Sequence, residues 1–145
     1  MTGDYIDPVF GAMRYDPERE TYEAQPLIEG AKIDVTLKAK GSKDRETFLA
    51  NTRRAWPVLA GAGIEAARAH ACDELLSLKN ETWLEEGEAP IGAEAFKKRL
   101  KLDGITVHLD GACSYLFTDG DLFWGHYVSV WRNADGQFSG ADLAG

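Results

Sequence analysis

The chain has 145 residues, with 16 lysines and arginines against 24 aspartates and glutamates, for a formal net charge of −8. That balance argues against a duplex nucleic-acid binder, which needs a basic face to neutralise phosphates, and against adsorption to an anionic membrane. The length suits a single domain, residues 1–145, that buries a core without disulfides, metal or cofactor.

Cys72 and Cys113 lie far apart with no disulfide framework around them, so both read as reduced thiols of a cytoplasmic protein. The acidic start, Met1 to Asp7, lacks the apolar region of a secretion signal and reads as a loose end. No apolar run approaches the length that spans a membrane.

Val9 to Tyr15 is a short strand candidate closed by Asp16-Pro17, a turn dipeptide because proline fixes φ and removes a donor. Thr21 to Ile28 returns, with Pro26 making it an edge strand or one with a break. After Glu29-Gly30, the run Ala31 to Ala39 alternates throughout. Ile33, Val35 and Leu37 face a core, and Lys32, Asp34, Thr36 and Lys38 face water.

Beyond Gly41-Ser42 the period changes. Phe48, Leu49, Thr52, Trp56 and Leu59 fall at helical spacing, with Ser42 or Asp44 available as N-cap, and Pro57 predicts a kink or an end near Trp56. A second helix is predicted from about Ile64 to Lys79. Ile64, Ala67, Ala71, Leu75 and Leu78 make its stripe, Glu65, Arg68, Asp73 and Glu74 its wet side, and Asn80 its left-handed cap. An acidic loop, Glu81 to Pro90, precedes a short third helix that covers only Phe96 and Leu100.

The last third reads as a meander of four strands. Asp110-Gly111 suits a two-residue turn, which would pair Leu109 with Ala112 and His108 with Cys113. Tyr115, Phe117, Tyr127, Trp131 and Phe138 would then share one face, opposite Val107, Val128 and Val130. Asp119-Gly120-Asp121 turns again, and Asp135-Gly136 sends the chain back so that Trp131 lies opposite Gly140. Three strands, three helices and four strands imply an α+β fold, an antiparallel sheet with the helices packed on one face.

The string Leu75-Leu-Ser-Leu-Lys-Asn-Glu-Thr-Trp83, Phe96, Asp119-Gly-Asp-Leu-Phe-Trp-Gly-His126, Val128 and Val130 resembles an uncharacterised bacterial family of unknown function, DUF2262. Asp7-Pro-Val-Phe-Gly11 and Asp135-Gly136 fit it too. The resemblance implies a compact bacterial α+β domain and carries over no catalytic residue.

Chemical candidates are few. Asp119 and Asp121 flank a glycine as in a calcium loop, but the further oxygen ligands are missing, and tight turns demand the same residues. His126 could bond a turn carbonyl or carboxylate, or, oriented by Asp119 or Asp121, act in acid–base chemistry. His108 and Cys113 as cross-strand neighbours could form a nucleophile pair or half a zinc site, yet no metal-type spacing exists. His70 reads as an ordinary helix residue. Ser77, Ser114 and Ser129 lack a nucleophile elbow.

Three function classes follow. The leading one is a protein-binding module, of immunity or antitoxin type, whose acidic residues Glu85, Glu86 and Glu88 and aromatic face suit a basic partner. A hydrolase or transferase centred on Asp119, Asp121 and His126 is the second. A structural homo-oligomer using the aromatic face is the third.

Overall fold

The computed structural model describes residues 4–145. Its strands are β1 (Asp4–Asp7), β2 (Gly11–Asp16), β3 (Thr21–Ala24), β4 (Leu27–Ile28), β5 (Ala31–Lys32), β6 (Asp34–Lys38), β7 (Lys101–Val107), β8 (Cys113–Thr118), β9 (Tyr127–Arg132) and β10 (Phe138–Ala144). Helices α1 (Arg45–Leu59), α2 (Ala62–Thr82) and α3 (Ala93–Arg99) occupy the middle of the chain. Eight strands form one sheet in the order β1-β2-β3-β6-β7-β8-β9-β10, and β4 and β5 make a separate hairpin. The fold is α+β, with more strands than the sequence predicts.

The N-terminal half differs in three places. The expected loose end is a strand from Asp4, because the Asp7 carboxylate accepts the amides of Val9 and Phe10 and the Arg53 guanidinium, which ties the strand to α1. Residues 1–3 of that segment lie outside the described residues. Ala31 to Ala39 is two strands, broken where the Ile33 amide turns aside to the Pro26 carbonyl. The alternation survives the break, with Ile33, Val35 and Leu37 buried. The sheet is also not wholly antiparallel: β6 and β7 run parallel, with Val35 beside Ile105, so α1 to α3 form the crossover between its halves.

Helix α1 buries the five residues its spacing selects, Phe48, Leu49, Thr52, Trp56 and Leu59. Asp44 caps it, and Pro57 does not end it, since the helix continues to Leu59. Helix α2 is longer than expected. Asn80 is no cap; its side-chain amide exchanges two hydrogen bonds with the backbone of Ile91 and pins the acidic loop. Arg68 is buried rather than wet, held by Glu29, Glu65 and the Leu100 carbonyl. Lys79, also on the core side, is fully buried.

The largest correction is the β7–β8 hairpin. Its loop is Leu109-Asp110-Gly111, closed by the Gly111 amide on the His108 carbonyl and the His108 amide on the Ala112 carbonyl. Gly111, at φ +96°, takes the left-handed position of a three-residue loop. Val107 therefore pairs with Cys113 and Ile105 with Tyr115. One residue of register moves every side chain of β8 to the other face. Cys113, Tyr115 and Phe117 join Ile105, Val107, Val128 and Val130 in the core under the helices. At the other hairpin the expected pairs hold: Trp131 with Gly140, Ala141 with Val130, Leu143 with Val128.

Candidate functional site

The turn from Asp119 to His126 is built around one carboxylate. Asp119, 4% exposed, accepts the Asp121 amide on Oδ1 and the amides of Phe123, Gly125 and His126 on Oδ2, all within 2.9–3.1 Å. Leu122 and Phe123 plug the core below it. Asp121 and Trp124 take left-handed backbone, φ 65° and 59°, which side-chain-bearing residues seldom adopt. The Trp124 ring is consequently turned outward, 53% exposed.

The three sequence candidates are close in chain but do not form an acid–base unit. The Asp119 carboxylate binds the His126 amide, not its ring, and Asp121 points to solvent. The imidazole Nδ1 donates to the Phe123 carbonyl at 2.5 Å. Among the described residues no group of three or more His, Cys, Asp or Glu side chains is placed to hold a metal ion.

Trp83 links this turn to the acidic loop. Its ring meets Trp124 at 4.7 Å, His126 at 5.3 Å and Phe123 at 5.8 Å between centroids, each edge to face. Arg99, at the end of α3, ties the turn to that helix by donating Nε to the Gly120 carbonyl at 2.9 Å. In the loop, Glu88 is committed. Its Oε1 accepts the Glu85 amide and the buried Lys79 ammonium, which together hold its carboxyl below the usual range. Glu81, Glu85 and Glu86 are exposed and make no ion pair among the described residues.

The expected aromatic face does not exist as one surface. Tyr115 and Phe117 are fully buried, and the Tyr115 hydroxyl donates to the Leu59 carbonyl. Phe138 is half-buried, stacked on His70 at 5.5 Å on the helix side. Tyr127 and Trp131 remain on the open face, 40% and 38% exposed.

His108 and Cys113 are also separated by the register. The Cys113 thiol is sealed in the core and pushed up to about 12 by burial. His108 instead bonds Ser114 through Nε2 at 3.1 Å, with the Trp131 ring 4.7 Å away. Alternation along β8 carries the signal for this pairing once the loop length is known, because Ser114 and Leu116 are the residues left outside. No helix of the described residues is long and apolar enough to cross a membrane.

No curated protein and no solved structure matches the chain significantly. Residues 7–143 match a family described as uncharacterised proteins conserved in bacteria, DUF2262. The match runs from the carboxylate that anchors β1 to Leu143, the partner of Val128 in β9, and over that span the chain belongs to this bacterial family.

Proposed function

We propose that the chain is a cytoplasmic protein-binding module that receives a basic segment of its partner where the acidic loop meets the Asp119–His126 turn. The observation that carries this reading is Trp124. Left-handed backbone at a bulky residue costs about 1–3 kcal/mol, and the four amide bonds to Asp119 hold the ring in water against that cost. The ring packs on Trp83 alone and otherwise faces water, which suits a contact surface.

The chemistry of the corner selects a cation. The faces of Trp83 and Trp124 attract guanidinium and ammonium groups, and Glu81, Glu85 and Glu86 supply uncommitted negative charge beside them. Tyr127, next in chain to His126, extends the surface onto the open sheet face. A basic effector of the kind met by immunity or antitoxin proteins fits this charge. Two buried thiols with no disulfide support a reducing compartment.

The test is affinity capture of the tagged chain from a bacterial lysate, followed by association kinetics with the captured partner. Lysine at Glu85 and Glu86 should slow association strongly at low salt and weakly at high salt. Trp124→Ala should chiefly speed dissociation. A partner bound equally well by both variants, or self-association alone, overturns the proposal.

A further inference from the structure

We propose that Ser114 and His108 form a nucleophile–base pair on the open face of the sheet, one that accepts the acyl group of an activated ester. This inference is independent of the docking corner, and either stands if the other fails. The pair is a product of the register. With Val107 opposite Cys113 and Ile105 opposite Tyr115, Ser114 and His108 both project from the face that no helix covers. Both are half-buried, and Nε2 to Oγ is 3.1 Å, within the reach a general base requires.

The surroundings keep His108 in its base form. Burial and the Lys38 ammonium, from the neighbouring end of β6, lower the His108 pKa, and the Asp110 carboxylate opposes them only in part. The imidazole is therefore neutral at pH 7 and can accept a proton. The other elements against it present uncharged groups, Ser114 from β8 and the Trp131 ring from β9. That ring limits how far the imidazole can swing, and Trp131 is itself fixed by its Nε1 donating to Asn133.

In the reaction the Ser114 hydroxyl gives its proton to His108 Nε2 as Oγ bonds to the ester carbonyl carbon. The tetrahedral adduct collapses with cleavage of the bond to the leaving oxygen. The imidazolium returns the proton to that oxygen, so one alcohol leaves and one acyl-serine remains. Water attacking the acyl-serine by the reverse proton path releases the acid and restores both side chains.

p-Nitrophenyl acetate is the probe, read by intact mass and peptide mapping. One acetyl group is expected on Ser114, absent from Ser114→Ala and unaffected by Ser129→Ala, which changes another serine on the same face. His108→Gln, which keeps a hydrogen-bonding side chain under Trp131, should slow acetylation about 100-fold, the range a general base supplies. In the unaltered protein the rate should rise with pH to a plateau whose midpoint lies below the ordinary histidine value. Acetylation confined to lysines, or a rate unchanged in His108→Gln, overturns the proposal. Should that variant fail to fold, a flat pH profile in the unaltered protein overturns it equally.

Discussion

The hydroxyl of Tyr115, at the centre of β8, donates to the carbonyl of Leu59 at the last turn of α1, 2.7 Å away and 56 residues apart in sequence. This bond satisfies, from inside the core, a carbonyl at the end of the helix, where the chain turns at Gly61. Burial pushes the phenol well above the ordinary tyrosine range. The folded state therefore favours the protonated phenol. Its contribution is complete below the unfolded value near 10 and is lost as pH rises beyond it.

Tyr115→Phe should cost about 1–3 kcal/mol, because it leaves the Leu59 carbonyl buried without this donor. A Cβ added at Gly63 would come within 2.5 Å of the same hydroxyl and 2.7 Å of the Val58 carbonyl. Gly63→Ala should therefore destabilise strongly alone and less in the Tyr115→Phe background. Denaturant unfolding of the four proteins measures the coupling, and strict additivity would mean that the clash is relieved elsewhere.

Val130, with no exposed surface, stands opposite Tyr115 and Ala141 on the core face of β9. Val130→Asp places an unpaired carboxylate there at a cost of several kcal/mol, against a total stability of about 5–15 kcal/mol for such a domain. The variant should be unfolded by circular dichroism at 25 °C. An unchanged melting temperature would contradict the burial of this strand face.

The β7–β8 register shows how much of the fold was legible. The helical stripes and the meander followed from spacing, because burial of one face leaves a period in the sequence. The hairpin did not, since Asp-Gly serves both a two-residue and a three-residue loop. Burial of Tyr115 and Phe117 decides between them, and that is a tertiary effect. The parallel β6–β7 pair was equally silent, because alternation carries no strand direction.

Arg68 and Lys79 were legible in part. They fall at Ile64 plus four and Leu75 plus four, on the core side of α2, and for Arg68 only its charge argued for water. At the candidate site the Asp-Gly-Asp turn was visible. The left-handed Trp124 was not, because no local rule places an aromatic residue there.

Acid should expose the anchor of β1. Burial raises the Asp7 pKa, but the Arg53 hydrogen bond and the amides of Val9 and Phe10 outweigh it, and the net shift is downward. The stability Asp7 supplies is present above the usual carboxylate value and is lost as pH falls through its lowered one. Asp7→Asn should cost about 1–3 kcal/mol near neutrality, since it removes a charged partner from Arg53. It should also flatten the acid limb of a stability-versus-pH curve. A limb as steep as that of the unaltered protein would place the titrating carboxylate elsewhere.

Asp119 is expected to control the proposed docking corner without touching a partner. Asp119→Ala deprives four amides of their acceptor at once, those of Asp121, Phe123, Gly125 and His126. Asp119→Asn keeps one oxygen and offers an amide that repels the remaining donors, so it should restore the turn only in part. Phe123 and Leu122 plug the core, so the loss should spread beyond the loop and lower the melting temperature. Hydrogen exchange should accelerate first at the amides of Phe123, Gly125 and His126, before those of β8 and β9. Partner binding, if the corner is the contact, should weaken in Asp119→Ala as much as in Trp124→Ala, because the tryptophan is no longer held outward. Exchange rates at those three amides unchanged by Asp119→Ala would show that the carboxylate does not hold the turn.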